Sequence, residues 1–256
     1  MSYFLSDWFY LSARSIKQIW RPLLALIPSL FIPIFFFFVN SQSLSAFRHV
    51  PGFPQNVSYK DFIAPVAIFT AVFFSAGNAG IELVQDISNG YLKKLMIMPI
   101  NRLAILFGKF SEVAVQAVMQ GTIVIVLLYI AGVRFVTGIP GILASFGILI
   151  LFAMGWSCIS MISALRTQNA RLVQSLFVVV FPFLYITTSQ APLNLLPQGF
   201  QAVAKLNPVT YVIEGVRALV LYGWGSPAIW QSFLVSFLFF VVLTTITLFS
   251  FQKTLK

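Results

Sequence analysis

The sequence has little charge and few of the residue types that soluble enzymes use for chemistry. Only 9% of its 256 residues are charged and 59% are hydrophobic, whereas a soluble domain carries about 25% charged residues. It has one histidine, His49, and one cysteine, Cys158, so no histidine triad, histidine-rich metal site or intrachain disulfide is expected. No soluble fold could bury this much apolar surface, and we therefore expect the chain to lie in a bilayer.

The sequence also lacks a phosphate-binding loop of the form G-x-x-x-x-G-K-[ST]. Gly108-Lys109 is followed by Phe110 and has no upstream glycine, so the chain alone is not expected to hydrolyse ATP. We expect it to hold no catalytic residue, cofactor or metal. A membrane-embedded enzyme is a weak alternative, because only Glu112 and Cys158 could serve it. An ATP-independent carrier would predict inverted repeats, and the sequence shows none.

Positive charge dominates the few charged residues. There are 16 Lys+Arg against 6 Asp+Glu, a formal net charge of +10. The basic residues are spread through short loops, which favours contact with lipid headgroups over nucleic acid. If the N-terminus is cytoplasmic, eleven basic residues lie inside and five outside, so both termini are expected in the cytoplasm. The inner set is Arg14, Lys17, Arg21, Lys93, Lys94, Arg102, Lys109, Arg166, Arg171, Lys253 and Lys256, and the outer set is Arg48, Lys60, Arg134, Lys205 and Arg217.

Six apolar segments are candidates for membrane spans, each of which needs about 20 apolar residues. The first is marginal, because it is short and contains Pro28 and Pro33. The sequence therefore predicts a single all-α integral membrane domain over residues 1–256, with spans 1–5 inside residues 23–190. The predicted spans are 23–39, 62–84, 104–132, 139–164, 172–190 and 228–250.

Residues 1–22 form an amphipathic pattern before the first span. Aromatic and basic residues on such a helix are typical of the membrane interface, and a packed surface helix is the alternative. Charged residues precede any long apolar run, so the segment is not expected to be a signal peptide. The apolar stripe is Leu5, Trp8, Phe9, Ile16, Ile19 and Trp20.

A shorter apolar stretch, residues 208–223, carries Glu214 and Arg217. Each charge at mid-bilayer costs roughly 2.5–3.5 kcal/mol, so we predict a re-entrant or interfacial helix, with a local ion pair between these residues. Asn207 and Pro208 suit its start and Gly223 its end. Residues 191–206 hold two prolines and a glycine and are predicted to form a partner half-helix. Residues 191–227 would then be extracytoplasmic.

Residues 89–102 read NGYLKKLMIMPINR, between the second and third predicted spans. Leu92, Leu95 and Met96 share one helical face, and Pro99 stops the helix. The pattern predicts either an apolar ridge that docks on a partner or a plain cytoplasmic connection with positive-inside lysines.

The third span carries a polar stripe, because Lys109, Glu112, Gln116 and Gln120 recur at steps of three and four residues. Polar residues in a span should face protein or water. The stripe could line a translocation path, or it could join helices through hydrogen bonds worth about 0.6 kcal/mol each.

Two stretches carry a resemblance to a known family. Residues 86–102 followed by Gly108-Lys109 resemble the signature loop of ABC-2 type transporter permeases, and residues 206–217 (LNPVTYVIEGVR) resemble that family's second motif. Length, span number and the N-terminal helix agree, so the resemblance covers the whole chain. It departs at Ile87-Ser88, where the family often has Arg-Glu, and at Tyr91, where threonine is common.

The resemblance, which is closest to the daunorubicin-resistance-like efflux permeases, implies one half of an exporter in the cell (inner) membrane. Two copies would pair, and each would bind a separate ATPase subunit that holds ATP and Mg. The cargo would be an amphipathic drug-like molecule or lipid, or alternatively a polysaccharide or lipid-linked glycan. The implied site residues are Asp86, Gly90, Leu92, Leu95, Pro99 and Arg102 for the ATPase-coupling helix, and Asn207, Pro208, Tyr211, Glu214 and Arg217 for the exit side.

Overall fold

The computed structural model describes residues 2–19, 26–55 and 57–254. Within these ranges all regular structure is helical, as the sequence predicts. Two short 3₁₀ turns, Ser45–His49 and Leu193–Leu195, lie in the connections. The α-helices in chain order are α1 Ser2–Ile19, α2 Leu26–Ser43, α3 Tyr59–Ser88, α4 Tyr91–Ile97, α5 Arg102–Ile130, α6 Gly138–Thr167, α7 Ala170–Tyr185, α8 Gln198–Leu206, α9 Pro208–Leu221 and α10 Pro227–Thr254.

Among the described residues, four helices are long and apolar enough to cross a membrane: α3, α5, α6 and α10. They match the second, third, fourth and sixth predicted spans. Two shorter apolar segments, Ser29–Ser43 and Ala170–Tyr185, stand where the first and fifth spans are predicted; residues 23–25 of the first lie outside the described residues. The fifth prediction is too long at its end, because α7 stops at Tyr185 and the chain continues as an irregular loop.

Helix α3 occupies the centre of the bundle. It packs against α2, α5, α6, α7 and α9, and 78% of its most apolar window is buried, against 22% for α10. An apolar helix with so little burial inside one chain must be covered by lipid or by another protein. The helices that cross the bundle therefore divide into a protein-buried centre and an apolar periphery.

Small residues bring α3 and α6 into close contact. The Ser160 hydroxyl donates to the Gly77 carbonyl over 2.6 Å and accepts from the Gly80 N–H over 2.7 Å. A Cβ atom at Gly80 would overlap both the side chain and the backbone of Ser160. Small residues are typical of such close helix contacts in membranes.

Helix α1 lies along α5, with Ser12 and Ser15 on its buried face. The Ser12 hydroxyl and the Trp8 indole N–H both donate to the Ser111 hydroxyl, over 3.1 and 3.0 Å. Leu5, Phe9 and Tyr10 stay exposed, while Trp20 lies outside the described residues. The predicted helix is thus present, and the serine face packs on α5; of the apolar stripe, Leu5 and Phe9 are exposed, whereas Ile19 is buried.

Two basic residues counted for orientation are buried inside the bundle. Lys109 is buried within α5 and Arg217 within α9. Because neither lies in a loop at the membrane surface, both must be removed from the count of basic residues on the two sides of the membrane. The remaining basic residues still favour the same side.

Gly80→Ala should destabilise the α3–α6 contact, because overpacking a close-packed site costs about 1–3 kcal/mol. We expect the apparent melting temperature of the detergent-purified protein to fall by several degrees. Gly199→Ala is the matched control, since nothing lies within 4 Å of a Cβ atom there. Equal melting temperatures for the two variants would contradict the close contact.

Candidate functional site

The break between α3 and α4 is made by glycine. Helix α3 ends at Ser88, and Gly90 adopts φ +70°, a left-handed conformation that glycine accepts without strain. The coupling helix predicted around residues 86–98 is therefore shorter than expected, spanning Tyr91–Ile97. Asp86 lies on α3 instead. Met98 is extended, as expected for a residue before proline, and Pro99 follows it on the surface.

The apolar face of α4 points into the chain. Leu92 and Leu95 are only 6% and 5% exposed and belong to the hydrophobic core. The prediction that Leu92 and Leu95 form a docking ridge is wrong for this conformation, because the hydrophobic core of the same chain already covers their face of α4. Ile97, at 85% exposed, and Met98 are the apolar residues left on the surface, beside Lys93 and Lys94.

Asp86 joins three elements at this end of the bundle. Its carboxylate pairs with Arg14 of α1 and with Lys109 of α5, each over 3.2 Å. The Arg14 guanidinium also lies 3.4 Å from the centroid of the Tyr91 ring. Partial burial raises the pKa of the Tyr91 phenol, so the ring facing Arg14 is neutral.

The polar stripe on α5 meets neighbouring helices. Lys109 pairs with Glu112 over 3.1 Å and lies 3.8 Å from Glu82 of α3. The Gln116 amide donates to Glu82 over 3.3 Å, and the Gln120 amide donates to Ser29 of α2 over 3.2 Å. The interhelical alternative accounts for these contacts, and path lining by Glu112, Gln116 and Gln120 stays a prediction.

The start of α5 is capped by its own sequence. The Asn101 side chain accepts from the Leu103 N–H over 2.9 Å, as an N-cap does. The Asn101 N–H in turn points to the Asp7 carboxylate of α1 at 3.5 Å. Helix α5 begins at Arg102, whose side chain lies outside the described residues.

Asn207 ties α7 to α9 at the opposite end of the bundle. Its carbonyl oxygen accepts from the Val209 N–H over 3.0 Å, and Pro208 is the first residue of α9, as predicted. Its amide donates to the carbonyls of Phe183 and Ile186, over 2.8 and 3.0 Å. One side chain thus caps the start of α9 and satisfies carbonyls at the end of α7.

Arg217 is held by several partners inside the chain. It is 1% exposed and forms the predicted ion pair with Glu214. It also donates to the carbonyls of Phe62 and Thr188, over 3.1 and 2.8 Å, and stacks 3.8 Å from the Phe62 ring. A buried charge requires such partners. The sequence predicted the pair with Glu214 but not the carbonyls of Phe62 and Thr188.

The predicted partner half-helix is present as α8, directly before α9. The Tyr211 hydroxyl donates to the Lys205 carbonyl over 2.9 Å, which ties the end of α8 to α9. Gly223, at φ +84°, follows the end of α9 as predicted. The re-entrant placement of the two helices stays a prediction.

A family model described as ABC-2 type transporter matches residues 6–221. The chain belongs to the ABC-2 type transporter family. Both groups of residues above, around α4 and around α9, lie within the match. This ABC-2 protein is therefore a multi-pass membrane permease subunit, and residues 6–221 match the transporter's membrane domain.

Relatives of the ABC-2 chain agree with this assignment. It is 28% identical over 222 residues to ycf38 of Cyanophora paradoxa, described as a transport permease, covering 85% of this chain and 75% of that one. It is 22% identical over 203 residues to DrrC of Mycobacterium tuberculosis, described as a doxorubicin resistance ABC transporter permease, covering 79% and 72%. It is 25% identical over 220 residues to the Escherichia coli inner membrane transport permease YhhJ, covering 84% and 58%.

Asn207→Ala should lower the apparent melting temperature, because a lost N-cap costs about 0.5–2 kcal/mol and unpaired buried carbonyls add about 1–3 kcal/mol. Asn207→Asp keeps the cap but cannot donate to α7, so it should also destabilise. Asn194→Ala, which removes an exposed bond to the Gly52 carbonyl, should change little. A stable Asn207→Asp variant would show that the α7 contact contributes nothing.

Proposed function

We propose that this chain is the membrane subunit of an ATP-driven exporter, powered by a separate ATPase subunit that docks on α4. The observation that carries this proposal is the construction of α4. It is a seven-residue helix, bounded by Gly90 and Pro99, with its inner face in the core and its outer face exposed. Such an element suits the transfer of movement from a docked protein to the bundle.

The contacts of α4 define the route for that movement. Leu92 and Leu95 anchor it in the hydrophobic core, and α4 packs on α3, the central helix. A displacement of α4 therefore acts on the helix that contacts most of the others. The docking surface consists of Lys93, Lys94, Ile97 and Met98.

We further propose the arrangement in the membrane. The spans are α2, α3, α5, α6, α7 and α10, with both termini and α4 on the cytoplasmic side of the cell membrane. Helix α1 lies at the interface, and α8 and α9 form half-helices near the outer exit. The basic residues around α1, α4 and the α6–α7 connection support this orientation.

Two copies form the exporter in this proposal, and the path runs between them. The exposed apolar faces of α2 and α10 supply surface that lipid and a second copy can share. We infer an amphipathic cargo, such as a drug-like molecule or lipid. The support is the similarity to DrrC, whose name specifies doxorubicin resistance.

Docking on α4 is tested by co-expressing the tagged chain with an ABC ATPase from the same genome and purifying the complex in mild detergent. Ile97→Glu should reduce recovery of the ATPase at least tenfold, because it places a charge in the centre of the proposed contact. Val136→Glu is the matched control, since Val136 is also an exposed β-branched apolar residue and lies in the connection between α5 and α6, outside the proposed spans. Equal recovery with both variants would reject docking at α4.

The orientation is tested by labelling single cysteines in intact cells. Val50→Cys and Lys94→Cys, each in a Cys158→Ser background, place the thiol at exposed positions. A membrane-impermeant maleimide should label position 50 from outside and position 94 only after the cells are opened. Labelling of position 94 in intact cells would reverse the orientation.

A further inference from the structure

The junction between α3 and α4 is spanned by a side chain from another helix. Gly90 separates the two helices, and an added Cβ atom there would touch nothing within 4 Å. Arg14 of α1 contacts Asp86 before this glycine, over 3.2 Å, and the Tyr91 ring after it, at 3.4 Å. One guanidinium therefore holds both sides of the junction.

The partners of Arg14 are themselves fixed. Asp86 also pairs with Lys109 over 3.2 Å, and Lys109 pairs with Glu112 over 3.1 Å. Asp86, Lys109 and Glu112 are buried, where charges need partners and pairs are weakly screened by salt. The far side of the Arg14 contact is thus a rigid group of charges that links α3 to α5.

A junction at glycine bends easily unless something crosses it. Gly90 has no side chain, and the backbone contacts across it are those of one tight turn. A push on the exposed face of α4 reaches α3 through the packing of Leu92 and Leu95, and rotation at Gly90 would weaken that transfer. The planar guanidinium opposes that rotation, because it pairs with a carboxylate and stacks on a ring at the same time.

We propose that Arg14 is a positioning residue that makes α1, α4 and the end of α3 move as one body when the ATPase engages α4. This inference rests on the proposed function. It assigns the N-terminal helix to the coupling element through one residue. It also gives Tyr91, which departs from the threonine common in the resembled family, a reason to be aromatic, since threonine offers Arg14 no ring.

Arg14 is expected to affect the transfer of movement through the bundle but not the binding of the ATPase. Arg14 lies outside the docking surface, so Arg14→Gln should leave recovery of the ATPase within twofold of the unaltered chain. The same variant should weaken the response of the α9 end of the bundle to nucleotide. Arg14→Lys retains the charge but not the planar stack, so it should restore part of that response.

The test uses the complex with its ATPase in lipid nanodiscs. A spin label is placed at Phe200→Cys on α8, an exposed position, in the Cys158→Ser background, giving one label per copy. The distance between the two labels is measured without nucleotide and with ATP and vanadate. In the unaltered chain we expect a nucleotide-dependent shift, and in Arg14→Gln a shift reduced at least twofold.

Matched variants identify the cause of any loss. Lys17→Gln removes an exposed positive charge from the same helix and should keep the full shift, as should Tyr91→Phe, which keeps the ring. Tyr91→Thr removes the ring without unpairing a buried charge and should reduce the shift. If Arg14→Gln does not accumulate in membranes, the shift measured with Tyr91→Thr tests the role of Arg14 instead.

The outcomes distinguish this inference from the proposed function. If the unaltered chain neither binds the ATPase nor shows a shift, the proposed function fails and the role of Arg14 fails with it. If the unaltered chain shows the shift and both Arg14→Gln and Tyr91→Thr keep it in full, the role of Arg14 is overturned while the exporter function stands.

Discussion

The structure depends on one constraint: polar and charged groups in an apolar surrounding must find their partners within the chain. The chain meets this constraint at both ends of its bundle with long-range contacts. Around α4, Asp86 and Lys109 connect three helices. Around α9, Asn207 and Arg217 satisfy carbonyls of α3, α7 and the loop after α7. Between the two ends the helices pack mainly by shape, with a few interhelical hydrogen bonds such as that from Gln120 to Ser29.

The same constraint explains why the two motifs that carry the family resemblance contribute to the packing of the helices. The carboxylate of Asp86 and the amide of Asn207 hold helices together before any transport is considered. Between these ends the helices are joined by apolar packing, by the hydrogen bonds of the α5 polar stripe and by close glycine contacts such as Gly80 with Ser160. A bundle held firmly at both ends is suited to respond as a whole when one end is displaced.

Local features could be predicted from the sequence. The long helices follow from apolar length, and the start of α9 follows from Asn207 and Pro208, because capping involves neighbours in the chain. The inward face of α4 could not be predicted, since periodicity shows which residues share a face and not what covers it. The contact between Arg14 and Asp86 joins residues far apart in the chain, so no local pattern reports it. The break at Gly90 was not predicted either, because the coupling helix was expected around residues 86–98, across this glycine.

The double role of Asn207 has a consequence for biosynthesis. Residues 170–185 leave the ribosome before residue 207. The last carbonyls of α7 therefore have no hydrogen bond from Asn207 until that residue has been synthesised. Until then that end of α7 must stay near water or be shielded by an insertion factor. The order of synthesis therefore means that the end of α7 completes its hydrogen bonds late, together with the pair of short helices that follows it.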